Sequence, residues 1–181
     1  MFARTERLML RPGWPEDADA LARAIAHEDV AMRLARLPWP YSIADAQAWL
    51  ATPRSGTDPT SLLITSVESG EPKLVGGIGL VRLDDGSHEL GYWLTPAAWG
   101  RGYATEAGRA MIDIARHTLR LRRLASGHFV DNPASGRVLK KLGFCETGRA
   151  RRPCLARGHD VDSVEMALDL SDDQPAMQLA A

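Results

Sequence analysis

The stretch "LGYWLTPAAWGRGYATEAGRAM", residues 90 to 111, constrains the chain more than any other. A strand-like run ends and a helix-like run begins within about ten residues, with Gly100 and Gly102 at the junction. The first turn of a helix carries N–H groups with no partner in the helix and about half a positive charge, so it attracts anions. Gly100 and Gly102 let the backbone turn those N–H groups inward. Ala104 permits close approach, Thr105 adds a hydroxyl, and Arg101 adds a charge that could lie along a phosphate. The pattern is neither G-x-G-x-x-G nor a Walker loop, since no Gly-Lys-Ser/Thr follows. On these residues alone a tight turn fits as well as an anion seat.

The elements around this junction set the fold class. "TERLMLRP" alternates Leu8 and Leu10 with polar neighbours and reads as a strand. "PEDADALARAIAH" starts on Pro15 with acidic residues behind it and is helical, and "EDVAMRLAR" continues or kinks from it. Ser42 caps "IADAQAWL", with Asp45 as a short variant of the capping box. "SLLITSV", "LVGGIGLVRL" and "HELGYWLT" form a three-stranded meander, the glycines of the second marking a bulge or bend. "TEAGRAMIDIARHTL" places Ala107, Met111 and Ile114 on one face of a helix. "RRLASGHFV" is a strand, and "NPASGRVLKKLGF" a helix capped by Asn132 and closed by Gly143. Two strands turn near Gly158, and 171–181 reads as a mobile tail behind one domain at 1–170. The expected class is a mixed α/β (α+β) fold with helices on a mostly antiparallel central sheet.

Charge is unevenly spread. The net charge is −1, yet residues 99–158 hold 13 Lys and Arg against 4 Asp and Glu. Such a stretch asks for a polyanion, either nucleic acid or a small phosphorylated cofactor. Nucleic acid is disfavoured because aromatic residues are poorly interleaved with the arginines. No apolar run is long enough to span a membrane, and the charged start does not read as a signal peptide, so the cytoplasm is expected. Cys145 and Cys154 read as unpaired thiols, and the five histidines show no metal-ligand spacing.

Four segments together resemble the GNAT superfamily of N-acetyltransferases, in the branch that acetylates ribosomal-protein N-termini. "WGRGYA" resembles that family's acetyl-CoA loop, Gln/Arg-x-x-Gly-x-Gly/Ala, through Gly102 and Ala104. "ELGYWL" stands where the preceding strand does, "NPASGRVLKKLGF" matches the later Asn-x-x-Ser…Lys-x-Gly-Phe motif, and "RLPWPYSIADAQAWL" is similar to the substrate-side helices. Trp99 departs from the pattern, since an indole cannot bind phosphate as Gln or Arg would.

The resemblance implies acetyl-CoA as co-substrate, with its pyrophosphate on the N–H groups of Gly100, Arg101, Gly102, Tyr103, Ala104 and Thr105. It implies a splay between the fourth and fifth strands, where backbone groups of Trp93, Leu94 and Thr95 would pair with pantetheine. It also implies an amine acceptor and a tendency to dimerise. Acetyl transfer needs a base for the ammonium, donors for the oxyanion, and a donor for the departing thiolate. Glu89 is the expected base, best served by burial that raises its pKa; His88, on the opposite face, is the alternative. Ser135 is the expected donor to sulfur, and Asn132 would cap its helix and reach pantetheine. Many relatives use a tyrosine as acid near this motif, where this chain has Phe144. Trp39 and Tyr41 are the expected acceptor-pocket residues, with Asp84 and Asp85 drawing the amine in; Trp49 reads as core.

Overall fold

The computed structural model describes residues 1–52 and 61–171. The tail beyond Ser171 lies outside the described residues. One eight-stranded sheet runs in the order β1-β2-β3-β4-β5-β6-β8-β7. Its strands are β1 (Ala3–Arg4), β2 (Leu8–Arg11), β3 (Ser61–Ser66), β4 (Lys73–Arg82), β5 (His88–Leu94), β6 (Arg123–Phe129), β7 (Cys145–Cys154) and β8 (His159–Asp169). The two-residue β1 was not readable from alternation, which needs a longer run. Counting it, the expected splay falls between β5 and β6. That is the one parallel pair among the described residues, and it has a single register match, Glu89 with Ala125.

Helices cover both faces. Strand β3 shows why: Leu62 and Ile64 belong to one apolar core and Leu63 to the other, as a period of two requires. One core packs α4 (Tyr103–Asp113) and α5 (Pro133–Lys141) on the sheet through Tyr103, Ala107, Met111 and Leu139. The other packs α1 (Ala18–Ile25), α2 (Glu28–Ala31) and α3 (Ile43–Ala51) through Leu21, Ile25, Val30, Ala46 and Leu50.

Local signals explain the boundaries. Ser42 and Asp45 exchange hydrogen bonds in a full capping box at the start of α3. The Asn132 side-chain Oδ1 accepts from the Ser135 N–H at 3.3 Å, capping α5. At its far end Gly143, at φ 91°, and Phe144 return their N–H groups to Lys140 and Leu139. The bulge predicted by the β4 glycines falls at Val75, between Leu74 and Gly76. Helix α4 begins at Tyr103 and ends in a π-turn over Ile114–Thr118, so the regular helix stops before the expected Leu119.

Candidate active site

Where β5 and β6 part, the sheet opens into a cavity of about 420 Å³. A side-chain bond marks the fork. The buried Ser126 hydroxyl donates to the Leu90 carbonyl at 2.8 Å, taking the bond that a further ladder step would use. Beyond it the strands separate. The cavity is lined along β5 from Glu89 to Leu94, along β6 from Ser126 to Phe129, and by the start of α5.

Strand geometry then decides which β5 groups face the gap. The Thr95 N–H donates to Val75 of β4 at 2.9 Å. Backbone groups alternate sides along a strand, so Trp93 and Gly91 also turn to β4, while Leu90, Tyr92 and Leu94 turn to the gap. Of the three residues expected to face the gap with their backbone, Leu94 does so, while Trp93 and Thr95 turn to β4, and the Thr95 carbonyl also accepts from Ala98; Tyr92, which was not expected, faces the gap.

The glycine junction closes one end of the gap. Gly100 and Gly102 sit at φ 74° and 81°, in the left-handed region that favours glycine. Among the described residues, no group accepts from the backbone N–H of Gly100, Arg101, Gly102, Tyr103, Ala104 or Thr105. Six such donors at the start of an eleven-residue helix form an anion seat by composition and field alike. The loop is braced from behind. The Arg7 guanidinium pairs with Glu106 at 2.7 Å and donates to the Arg101 carbonyl at 3.0 Å. Glu106 also accepts from the Thr5 hydroxyl and the Arg7 N–H. Burial would push its carboxyl up, but those bonds outweigh it and hold Glu106 below its usual range.

The side chains here depart from expectation. Arg101 is drawn back onto Glu68 at 3.0 Å, and Tyr103 is fully buried with its hydroxyl on Glu68 and Ser66. Only the main chain of these two residues is left to the seat. Trp99 donates its indole N–H to the Leu94 carbonyl at 2.8 Å, and the Arg33 guanidinium lies over its ring. Trp99 therefore fastens the loop to the end of β5.

At the other end stands Glu89. Its carboxylate meets Arg152 at 2.7 Å, and Arg152 is also gripped by Glu165. The bonds to Glu165 and Glu89 raise the Arg152 pKa against the cost of burial, so this cation is permanent. Glu89, which burial was expected to serve, stands instead in an ion-paired setting. Arg152 could not be found from spacing, 63 residues away. Nor could Tyr92, whose hydroxyl lies 2.7 Å from the Ser135 hydroxyl and 3.2 Å from its carbonyl. Burial pushes the Tyr92 phenol up to about 12.

The expected acceptor residues are not brought here. Trp39 and Tyr41 do not line the cavity: Trp39 is exposed, and Tyr41 packs against the α1–α3 core. Asp85 accepts from Ser87 and secures its own hairpin turn. Asp84 and His88 also lie off the cavity. Val30, Arg33, Leu34 and Ala35, from α2 and the segment after it, form the wall instead. Arg157 fixes that wall by donating to the Met32 carbonyl and pairing with Asp131 at 2.7 Å.

Known proteins share this architecture. "Probable N-acetyltransferase YjcK" of Bacillus subtilis is 34% identical over 109 residues, 59% of this chain and 60% of that protein. "Uncharacterized N-acetyltransferase YoaA" of the same organism is 29% identical over 162 residues, 88% of this chain and 91% of that one. The crystal structure of a GNAT-family acetyltransferase from Bacillus anthracis superposes with a TM-score of 0.80 at 20% identity. That superposition covers 94% of this chain and 99% of the other. The profile of the acetyltransferase (GNAT) domain matches residues 7–145, and the chain belongs to that family.

Proposed function

We propose that this protein transfers an acetyl group from acetyl-CoA to a primary amine by direct attack within a ternary complex. One observation carries the reading: a strand-wide gap in the sheet leads from a carboxylate to the glycine junction, lined there by Gly100 and Ala104, where among the described residues no protein group accepts from the backbone N–H groups of Gly100 to Thr105. The gap-facing backbone of Tyr92 and Leu94 supports an extended amide chain, as a missing strand would. The N–H groups of Gly100 to Thr105 hold the pyrophosphate, and Arg137, which lines the cavity from α5, adds a cation. Bound there, acetyl-CoA supplies the electrophilic thioester.

The protein's own groups do the rest. Glu89 accepts a proton from the incoming ammonium, directly or through a water, while Arg152 fixes its orientation. Ser135 donates to the sulfur as the C–S bond breaks. Asn132 keeps the first turn of α5 in place through its cap. Val30, Leu34 and Ala35 receive the acceptor, whose class is a primary amine on a protein N-terminus or a small molecule. The reading assigns 1–170 to one catalytic domain, active in the cytoplasm, with a dimer as its assembly.

The test is an acceptor screen with acetyl-CoA that reads released thiol. Glu89→Gln should lower kcat at neutral pH by about 100-fold while acetyl-CoA affinity persists. Unchanged rates across pH would remove Glu89 from the reaction. Tight acetyl-CoA binding with no thiol released to any amine class would reduce the protein to a binding module.

A further inference from the structure

Three serines and one tyrosine line the cavity with hydroxyl groups, and they are not equivalent. Ser126 donates to the Leu90 carbonyl at 2.8 Å, and Ser163 donates to the His128 carbonyl at 3.2 Å. Both protons are committed to backbone. That leaves Tyr92 and Ser135, whose oxygens lie 2.7 Å apart.

Counting protons shows what this pair can do. It holds two O–H protons and one mutual hydrogen bond, so one proton is left over. If Ser135 donates to the phenol oxygen, Tyr92 turns its own proton to the Ser135 carbonyl at 3.2 Å. Both protons are then consumed and the cavity is offered nothing. If Tyr92 donates to Ser135 Oγ instead, the serine proton is free to point into the cavity. The 3.2 Å bond given up in that exchange is long for a hydroxyl donor, so the reversal is cheap. An anion in the cavity repays it with a shorter, charge-assisted bond, and two donors in series strengthen one another.

We infer that Tyr92 is a positioning residue that reverses its hydrogen bond with Ser135 as negative charge develops on the departing sulfur, so that the Ser135 proton is presented to the thiolate. The inference rests on the acetyl-transfer reading. In the step itself the C–S bond breaks and its electron pair goes to sulfur. Ser135 donates a hydrogen bond to that sulfur and Tyr92 donates one to Ser135, and neither loses its proton. The amine proton leaves through Glu89 to water, and the thiolate is protonated by solvent on release. The raised phenol pKa fits this role, because Tyr92 stays a donor throughout the working range. The positive end of the α5 dipole, where Ser135 lies, adds to the same field.

The test uses CoA itself as a stable mimic of the thiolate. The ultraviolet absorbance of bound CoA thiolate is titrated against pH in wild type, Tyr92→Phe, Ser135→Ala and the double variant. In wild type the bound thiol should ionise about tenfold more readily than free CoA, the scale of one charge-assisted hydrogen bond. Ser135→Ala should abolish that gain and Tyr92→Phe should remove most of it. The double variant should match Ser135→Ala alone, because Tyr92 acts only through Ser135. Turnover with an accepted amine should follow the same order in kcat, with KM for acetyl-CoA unchanged. Equal losses from Tyr92→Phe with and without Ser135 would overturn the inference, as would no loss at all. Amine acetylation with no thiol shift in wild type would sink the switch and keep the acetyltransferase. Failure of wild type to bind CoA would sink both.

Discussion

Replacing Arg7 by Lys separates two jobs that one guanidinium performs. Arg7 Nε and Nη2 meet Glu106 at 2.8 and 2.7 Å, and Nη1 donates to the Arg101 carbonyl at 3.0 Å. An ammonium is a point charge and cannot span both partners. The contact with Glu106 would weaken but survive. The Arg7 side chain is 33% exposed and Glu106 17%, so solvent screens the pair. Losing its fork geometry should cost about 1 kcal/mol, between an exposed pair and a buried charge-assisted one. In a chain of this size that lowers Tm by about 2–4 °C. The bond to the Arg101 carbonyl is lost outright. It tethers the loop proposed to hold the pyrophosphate, so on that reading the loop must be ordered by the ligand instead. One solvent-exposed hydrogen bond from a guanidinium, of about 1 kcal/mol, gives a roughly fivefold weaker Kd for CoA. Calorimetric unfolding and CoA titration of the same variant read the two effects separately. A lower Tm with an unchanged Kd would show that the brace serves stability alone and that the loop is not preset by it.

Gly100 and Gly86 offer a matched pair, at φ 74° and 81° with nothing within 4 Å of an added Cβ. Alanine at either site should cost about 1–2 kcal/mol of left-handed strain, seen as similar losses of Tm. Only Gly100→Ala should also weaken CoA binding, since Gly86 lies in the remote β4–β5 turn; equal affinities would remove Gly100 from the seat. Burial raises the Tyr92 and Tyr41 phenols to about 12, above the usual value of 10. The folded state therefore keeps protons that the unfolded chain releases. Their contribution is complete below pH 10 and is lost as pH rises towards 12. Tyr92→Phe should flatten the fall of Tm across that window, and an unchanged slope would contradict the assigned burial.

Much of the fold was legible because its signals are local. The capping box at Ser42, the Asn132 cap and the Gly143 turn each involve residues three to five apart, and all three form as their chemistry demands. The Ala107 and Met111 face of α4 is buried because a single amphipathic period fixes it. Strand β1 is too short to carry a period, and the π-turn after Asp113 has no residue signature. The site was legible only in part for the same physical reason. Glu89, Leu94, Gly100, Ala104, Asn132 and Ser135 line one cavity because the strand–loop–helix order places them there. Arg152 on Glu89 and Tyr92 on Ser135 are contacts across 63 and 43 residues, set by sheet topology. The acceptor wall was sought in the aromatic segment at Trp39 and Tyr41. Those rings are claimed by solvent and by the α1–α3 core, and Val30 of α2 with Arg33, Leu34 and Ala35 after it lines the cavity instead.

Trp99 shows how one departure from a family pattern is absorbed. An indole offers one donor and no cation, so it cannot replace a phosphate-binding side chain. Its N–H instead satisfies the Leu94 carbonyl, which faces the gap with no strand to pair it. Its ring carries Arg33, which lines the acceptor wall and is held by Asp29 on α2. The proposed seat needs no side chain from position 99, because N–H groups from Gly100 to Thr105, unpaired among the described residues, and the α4 dipole supply its field. A residue freed from phosphate can then join the end of β5 to Arg33 on the neighbouring wall, so the strand end and that wall are built against a common side chain.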